Sequence, residues 1–193
     1  MEKGKAMSKR ALIVVDIQND YFPGGKWTLS GVEAAARNAA RLIADARSAG
    51  DLVVHIRHEF PTADAPFFQP GSEGAALHPS VINLDTEHVV LKHQINSYRD
   101  TDLKQHLDAN GIEEVVVCGN MSHMCVDAIT RASADFGYPV TVIHDACASR
   151  DLEFNGVTVP ANLAHAAFMS ALGFAYARMM STDEYLGSAA KAA

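Results

Sequence analysis

The chain has 193 residues, of which 48% are hydrophobic and 20% are charged. This length suits one globular domain, and the apolar content excludes a chain that is disordered throughout. The 23 acidic residues outnumber the 16 basic ones, so the formal net charge is −7. That balance argues against a nucleic-acid-binding protein and against a polybasic protein of the membrane surface, because both need a basic face.

The two ends of the chain are predicted to be tails around a single domain. The first ten residues are polar and basic, and the apolar stretch that follows is too short for a signal-peptide core or a membrane span. The sequence shows no repeat, low-complexity block or linker. We therefore predict one domain over residues 8–187, with flexible tails at 1–7 and 188–193.

Six apolar runs rich in Val and Ile are predicted to be β-strands. They lack an alternation of polar and apolar residues, which is typical of strands covered on both faces. In chain order the runs are Ala11–Asp16, Asp51–Ile56, His88–Lys92, Glu114–Cys118, Pro139–His144 and a weaker one, Ala175–Met180.

Four helices are predicted between these strands, each with a glycine just beyond its end that is suited to terminate it. The order of elements predicts an α/β fold with a mostly parallel, doubly wound sheet between two helix layers. One connection, Arg57–Glu87, is about thirty residues long, and a loop of that length inside a compact domain is usually functional. The helices are Val32–Ala49, Asp102–Ala109, Cys125–Phe136 and Ala161–Leu172.

Three reactive side chains are expected at one edge of this sheet, because ligands of open α/β sheets bind outside the carboxyl ends of the strands. Asp16 ends the first strand, Lys92 ends the third, and Cys125 follows the turn after the fourth. A cysteine nucleophile needs a base and a cation that stabilises the thiolate, and Asp16 and Lys92 would fill these roles. Ser122 is predicted to cap the helix of Cys125, whose N-terminus favours a thiolate and a developing oxyanion.

The three cysteines are an odd set without a CxxC motif, so a disulfide framework is not expected. A reducing compartment, the cytoplasm, is favoured instead. Cys118 and Cys147 are interpreted as core thiols, and Cys125 as the reactive one. Taken singly, Asp16 would also fit a turn cap and Lys92 a solvated strand-end charge.

Three segments together resemble the isochorismatase-like cysteine hydrolases, which include nicotinamidases and N-carbamoylsarcosine amidohydrolases. The segments are ALIVVDIQNDYFPGG, the lysine in VVLKHQINSY, and VVVCGNMSHMCVDAITRASADFGYPVTVIHDACAS. The resemblance spans roughly Arg10 to Leu186. It implies a three-layer α/β/α fold whose six-stranded sheet has the order 3-2-1-4-5-6.

The resemblance also implies the roles of individual residues. Asp16, Lys92 and Cys125 correspond to the catalytic aspartate, lysine and cysteine nucleophile of the family. A cis peptide bond is implied between Asn120 and Met121, and the backbone N–H groups of Met121 and Cys125 would form the oxyanion hole.

No cofactor is expected, and no metal. Nicotinamidases carry an Asp-x-His metal site after the second strand, but this chain has His58 and Phe60 at those positions. His55 and His58 are three residues apart, and in an extended strand such residues point to opposite faces.

Substrate-binding candidates come from loops near the sheet edge, where aromatic residues often line small-molecule pockets. For Phe67 and its neighbour Phe68, anchoring the long loop to the core or contacting another subunit is as good an interpretation as contact with the substrate. Arg57 and Arg99 are candidates for binding a substrate carboxylate, or plain surface charges. The full set of substrate-binding candidates is Gln18, Phe22, Trp27, His58, Phe67, Tyr98 and His123.

These observations predict a metal-independent cysteine amidohydrolase that cleaves a C–N bond of a small amide, ureide or carbamoyl compound through a thioester. The alternatives are a vinyl ether hydrolase of the isochorismatase type, a non-catalytic doubly wound module that binds a small molecule such as a flavin, and a degenerate scaffold. The expected partners are a small-molecule substrate and further copies of the chain, as a dimer or a tetramer. Neither nucleic acid nor a membrane is expected.

Overall fold

The computed structural model describes residues 9–189. The predicted tail 1–7 and most of the predicted tail 188–193 lie outside the described residues. The strands are β1 Arg10–Val15, β2 Leu52–His58, β3 His88–Lys92, β4 Glu114–Asn120, β5 Val140–Ala148, β6 Leu152–Phe154, β7 Val157–Val159 and β8 Arg178–Met180. The helices are α1 Val32–Ala49, α2 Leu103–Ala109, α3 Cys125–Asp135, α4 Ala161–Ala175 and α5 Thr182–Ala189. None of these helices is long and apolar enough to cross a membrane.

Six of the strands form one parallel sheet in the order β3-β2-β1-β4-β5-β8. This is the predicted order, with β8 as the sixth strand along the chain that joins the sheet. β1 lies in the middle, and the side chains from Ala11 to Val15 are all buried. The continuous apolar runs therefore belong to strands that are covered on both faces, as predicted.

The two faces of the sheet carry separate apolar cores, which makes the fold a three-layer α/β/α arrangement. On one face, Leu12 and Val14 pack with the buried side of α1 and with α5. On the other face, Ala11, Ile13 and Val15 pack with α2, α3 and α4. The alternation of side chains along β1 assigns neighbouring residues to opposite cores.

Several strands run further toward the carboxyl edge than the sequence predicts. β2 continues to His58, β4 to Asn120 and β5 to Ala148. The polar residues in these extensions end the apolar runs, but pairing with the neighbouring strands continues, as between Asn120 and Ala148. These extensions bring His58 and the turn after Asn120 to the same edge.

The last third of the chain holds the elements that were not predicted. β6 and β7 form an antiparallel hairpin beside the sheet. α4 continues through Gly173 to Ala175; a Cβ at Gly173 would come within 2.9 Å of the Met179 side chain, so this glycine allows close packing instead of ending the helix. α5 passes the predicted domain boundary at residue 187, and Asp145 holds its first turn by accepting hydrogen bonds from Thr182.

The long connection between β2 and β3 folds back over the sheet edge. It contains two short 3-10 turns and is tied to the segment after β1, because the Asp20 carboxylate accepts a hydrogen bond of 2.7 Å from the Phe68 N–H. A Cβ at Gly74 would lie within 2.5 Å of that carboxylate, so only glycine allows this close approach. The connection thereby becomes one wall of the cavity described below.

Candidate active site

Asp16, Lys92 and Cys125 meet at the carboxyl edge of the sheet. The Lys92 ammonium lies 2.9 Å from Oδ2 of Asp16 and 3.2 Å from the Cys125 sulfur. Lys92 is the last residue of β3 and Asp16 follows β1, so the lysine side chain reaches across the width of β2. The Asp16 and Lys92 side chains are fully buried, and Cys125 is 4% exposed.

The backbone at the end of β1 is specialised to present Asp16. Asp16 has a φ of 47°, which a non-glycine residue rarely adopts, and its N–H donates to the carbonyl of Ile56. Beside it, Gly119 pairs with Val15 and has a φ of 120°. A Cβ at Gly119 would lie 2.0 Å from the Val15 carbonyl oxygen. Only glycine therefore lets β4 approach β1 this closely where the three side chains converge.

Lys92 is held as a cation. Besides Asp16 and Cys125, its ammonium contacts the carbonyl of Gln94 at 3.1 Å and Nδ1 of His58 at 3.0 Å. Burial lowers the pKa of Lys92, but the Asp16 carboxylate and the Cys125 sulfur raise it by more, so the net pKa is raised. The ammonium is therefore charged throughout the physiological range.

Burial raises the pKa of the Cys125 thiol, and the Asp16 carboxylate raises it further, while Lys92 acts in the opposite direction. The net shift is upward, so the resting site holds a thiol. A thiolate has to be produced by proton transfer during the reaction, and Asp16 is the base within this cluster.

His58 completes the group around Lys92. Burial and the Lys92 charge lower the pKa of His58 to about 4, so the imidazole is neutral at neutral pH. Because the ammonium can only donate, Nδ1 of His58 is the acceptor and the ring proton belongs on Nε2. Gln18 positions this histidine: its amide oxygen accepts from the His58 N–H, and its NH₂ group donates to the carbonyls of His58 and Ala75.

The nucleophile turn differs from the prediction in its cap. α3 begins at Cys125 as predicted, but the Ser122 side chain does not cap it. The Ser122 hydroxyl instead donates to the Ala148 carbonyl and contacts Nδ1 of His165, which ties the turn to β5. The peptide bond between Asn120 and Met121 is cis.

The N–H groups of Met121 and Cys125 are available to a ligand. Within residues 9–189 neither N–H donates a turn or capping hydrogen bond, whereas the Met121 carbonyl accepts from Met124 and Val126. Cys125 is the first residue of α3, so its N–H has no partner in the helix. The Cys125 N–H at the helix N-terminus and the Met121 N–H in the turn before it are donors of the kind that suit an oxyanion.

A cavity of about 660 Å³ opens above this cluster, and Cys125 and Met121 form part of its wall. Four of the predicted substrate-binding residues line it: Trp27, His58, Phe67 and His123. Met124, which precedes the nucleophile and was expected beside His123 at the pocket, lines it as well. Further lining residues were not predicted: Tyr21, Phe60, Ile95, Arg150, Asp151, Leu152, Glu153 and Thr158. Most of these side chains are apolar, so the cavity is suited to a small organic molecule with few polar groups.

Three of the predicted substrate-binding residues lie elsewhere. Gln18 is fully buried, and its side chain forms hydrogen bonds with backbone groups of His58 and Ala75. Phe22 stacks on the ring of His78 with a centroid distance of 3.5 Å, on another part of the surface. Tyr98 belongs to the core on the α2 and α3 side, where its hydroxyl contacts Ser133. These three side chains have a suitable aromatic or amide character, but their segments turn them away from the cavity.

The two arginines considered for a substrate carboxylate also lie outside the cavity. Arg57 pairs with Glu59, and Arg99 with Asp100. Arg150, which does line the cavity, follows β5. Arg150 lies at the same carboxyl edge of the sheet as Asp16 and Lys92. It was missed because the fifth strand is predicted to end at His144, whereas β5 runs to Ala148.

The residues at the nicotinamidase metal position do not fit a metal ion here. Nδ1 of His58 already faces the Lys92 ammonium, and Phe60 offers no donor atom. His55 contacts Glu87 at 3.1 Å and does not line the cavity. In the described part of the chain no three His, Cys, Asp or Glu side chains converge in a way that could hold a metal.

Comparison with known proteins places this geometry in context. The isochorismatase domain matches residues 10–178. A crystal structure from Oleispira antarctica, assigned to the isochorismatase hydrolases, superposes with a TM-score of 0.91 at 56% identity and covers 95% of this chain and 100% of that one. An uncharacterised isochorismatase family protein of Bacillus subtilis, YddQ, is 46% identical over 91% of this chain and 98% of its own.

Two further relatives have a named activity. A streptothricin hydrolase of Streptomyces noursei is 38% identical, over 85% of this chain and 59% of its own length. A maleamate amidohydrolase of Pseudomonas putida is 31% identical, over 74% of this chain and 73% of its own.

Proposed function

Because this chain belongs to the isochorismatase family and is a hydrolase, we propose that it is a cysteine amidohydrolase that needs no metal. Its substrate is a small amide, ureide or carbamoyl compound, and the bond cleaved is C–N. The observation that carries the proposal is the contact of one buried ammonium, that of Lys92, with both the Cys125 sulfur and the Asp16 carboxylate. The named amidohydrolase activity of the Pseudomonas putida relative supports the same bond type.

In the first half of the reaction, Asp16 takes the proton of the Cys125 thiol, and Lys92 holds the resulting thiolate by its charge. The sulfur attacks the substrate carbonyl carbon, and the carbonyl oxygen becomes an oxyanion that accepts hydrogen bonds from the N–H groups of Met121 and Cys125. The C–N bond then breaks. The leaving nitrogen takes the proton from Asp16 and departs as ammonia or an amine, which leaves an acyl group on the sulfur.

In the second half, a water molecule attacks the thioester while Asp16 accepts one of its protons. The C–S bond breaks, the sulfur leaves as a thiolate, and the proton on Asp16 returns to it. The carboxylic acid product departs. The sum of both halves is one amide and one water converted to one acid and one amine, with Asp16, Lys92 and Cys125 restored.

The experiment is a screen of small primary amides and ureides for ammonia release, carried out with the parent protein and with Cys125→Ala, Cys125→Ser and Asp16→Asn. Loss of the nucleophile is expected to lower kcat/KM at least about a thousandfold. Cys147→Ala is the matched control, because Cys147 is also a buried free thiol but lies outside the cavity. It should leave turnover within about twofold of the parent.

Thiol alkylation gives a second readout. Iodoacetamide is expected to modify Cys125 first and to abolish ammonia release at one equivalent bound, with a substrate amide slowing the modification. Full turnover in Cys125→Ala would refute the mechanism. Hydrolysis confined to a vinyl ether, unaffected by alkylation, would support the isochorismatase-type alternative instead.

We also propose that the protein is a homo-oligomer of the cytoplasm. α4 has no charged residue, yet its outer face exposes Leu163 and Phe174, the latter to 91%. A second copy offers the same small and apolar surface, which suits a symmetric contact. Light scattering should show a dimer or a tetramer, and the double change Leu163→Glu with Phe174→Glu should lower the mass to that of one chain. An unchanged mass would exclude this face.

A further inference from the structure

The nucleophile turn, residues 120–124, is fixed to one residue of β5, Ala148. The Ala148 N–H donates to Oδ1 of Asn120 at 3.2 Å. The Ala148 carbonyl accepts from the Ser122 N–H at 2.9 Å and from the Ser122 hydroxyl at 3.1 Å. Asn120, Ser122 and Ala148 are all buried. These hydrogen bonds lie on both sides of Met121, whose N–H is one of the two donors for an oxyanion.

A histidine of α4 adds a further hydrogen bond to this turn. Nδ1 of His165 lies 2.8 Å from the Ser122 hydroxyl oxygen. The hydroxyl has one proton, and the Ala148 carbonyl can only accept. If that proton pointed to His165, the Ser122 and Ala148 oxygens would face each other in the interior without a proton between them. Both contacts are satisfied only when Nδ1 of His165 carries a proton and donates it to Ser122.

The His165 imidazole is neutral in this arrangement. Burial lowers its pKa, and the neighbouring His144 lowers it further. In a neutral imidazole one ring nitrogen donates and the other accepts, and here the donor is Nδ1. His165 therefore directs the single proton of Ser122 toward the Ala148 carbonyl.

α4 contacts the nucleophile turn at a second point. The ring of Phe168 meets the ring of His123 with a centroid distance of 6.0 Å and an interplanar angle of 63°. His123 follows Ser122 in the turn and lines the cavity. Because His165 and Phe168 are three residues apart, they lie on one face of the helix. Two successive residues of the turn are thus held by the same face of α4.

The Ser122–His165 pair is not a second nucleophile. Ser122 is fully buried and is not part of the cavity wall. Its hydroxyl proton points to a carbonyl, so the imidazole is not placed to remove it as a base would. The pair therefore acts on the turn and not on the substrate.

We infer that His165 is a positioning residue: through Ser122 it holds the nucleophile turn so that the Met121 N–H points at the oxyanion. This inference rests on the proposed amidohydrolase function, in which that N–H stabilises the tetrahedral intermediate. The donor meets a full negative charge only after the sulfur has attacked, so its alignment affects the transition state more than the bound substrate. The effect of losing His165 should therefore fall on kcat and not on KM.

His165→Leu removes the donor and keeps an apolar side chain of moderate size in its place. It is expected to lower kcat about 10- to 100-fold, as for a displaced oxyanion donor, and to leave KM within about twofold of the parent. His165→Asn restores an amide donor near the position of Nδ1 and should return kcat to within about threefold of the parent. A parent-like kcat in His165→Leu, or an Asn variant as slow as the Leu variant, would overturn the inference.

His106→Leu is the matched control variant. His106 is also a half-buried histidine on a helix, but it belongs to α2 and lies outside the cavity wall. Its replacement should leave kcat within about twofold of the parent. Thermal unfolding of every variant sets an assay temperature at which all of them are folded.

A double-mutant cycle tests the route through Ser122. If His165 acts through this hydroxyl, then His165→Leu should change kcat by less than about threefold in a protein that already carries Ser122→Ala. Losses that multiply independently would overturn the route.

An aldehyde separates this inference from the proposed function. The Cys125 sulfur adds to the carbonyl carbon of butyraldehyde, the carbonyl π bond breaks, and the thiol proton goes to the oxygen. NMR of the isotopically labelled aldehyde detects this hemithioacetal without turnover. Its oxygen takes the oxyanion position, so the Kd should rise about tenfold in His165→Leu and stay within about threefold of the parent in His165→Asn.

The outcomes of the aldehyde titration differ for the two proposals. Equal Kd values in the parent and in His165→Leu would overturn the positioning role alone. No adduct with the parent, or an undiminished adduct in Cys125→Ala, would instead refute Cys125 as the nucleophile and with it the proposed function.

Discussion

Replacing Lys92 by Met tests whether the buried cluster is held together by its ion pair. The change removes the ammonium that lies 2.9 Å from Asp16 and leaves that carboxylate fully buried without a counter-ion. Breaking a buried pair by removing one partner costs about 3–5 kcal/mol. That is a large share of a typical unfolding free energy of about 5–15 kcal/mol, and corresponds to roughly a 1–2 M decrease in the urea midpoint.

The cost should depend on pH, and the sign follows from proton binding. In the variant, a lone buried carboxylate is disfavoured in its charged form, so the folded state favours the protonated acid. The folded variant then holds more protons than the unfolded chain above about pH 4, and its stability decreases as pH rises, by at most about 1.4 kcal/mol per pH unit. We expect a modest loss relative to the parent at pH 5 and the full loss at pH 8.

The assay is urea unfolding of the parent and the variants at pH 5, 6, 7 and 8. The double variant Asp16→Asn with Lys92→Met is the control, because it removes both charges and keeps His58. It should recover most of the stability at pH 8 and lose the pH dependence specific to the single variant. A loss in Lys92→Met that is the same at pH 5 and pH 8, or that Asp16→Asn does not relieve, would refute the argument.

Two more perturbations test the geometry around the cluster. Gly119→Ala should destabilise the protein by at least about 2 kcal/mol and sharply lower kcat, because the new Cβ would lie 2.0 Å from the Val15 carbonyl oxygen. The control is Gly156→Ala, since Gly156 also has a positive φ but has open space around the Cβ position. This control should lower the free energy of unfolding in urea by only about 1 kcal/mol and leave kcat unchanged. Since the pKa of His58 is lowered from 6.5 to about 4, this group should contribute about 3 kcal/mol of stability at pH 7 that is lost as pH falls from about 6.5 to 4. The difference between the parent and His58→Asn across that range measures it, and a constant difference would show that the imidazole does not stay neutral.

The order of elements and the convergence of Asp16, Lys92 and Cys125 could be predicted from the sequence because both depend on local patterns. Val- and Ile-rich runs without alternation indicate buried parallel strands, and parallel strands bring their carboxyl ends to one edge. The predicted bounds of α1 agree with the structure, with Gly50 in the left-handed conformation at its end. The resemblance to the cysteine hydrolases added the expected sheet order, which the structure confirms.

What could not be predicted depends on contacts between residues far apart in the chain. Gln18 lies two positions after Asp16, yet its side chain forms hydrogen bonds with the backbone of His58 because β2 lies beside β1. Phe22 and Trp27 belong to the same loop, but only Trp27 reaches the cavity, since the long connection brings Phe67 against it. Gly173 was predicted to end a helix, and only the position of Met179 shows why it stands inside one.

The amino-acid sequence alone therefore determined the fold class, the strand edge at which the site lies and the three polar side chains that meet there. Local periodicity and the geometry of parallel sheets are sufficient for these. The protonation of Cys125, the neutral state of His58 and the place of Arg150 in the cavity wall were decided by the tertiary structure alone. Each depends on burial and on distances of about 3–4 Å to groups remote in sequence, at which electrostatic and hydrogen-bond energies are largest.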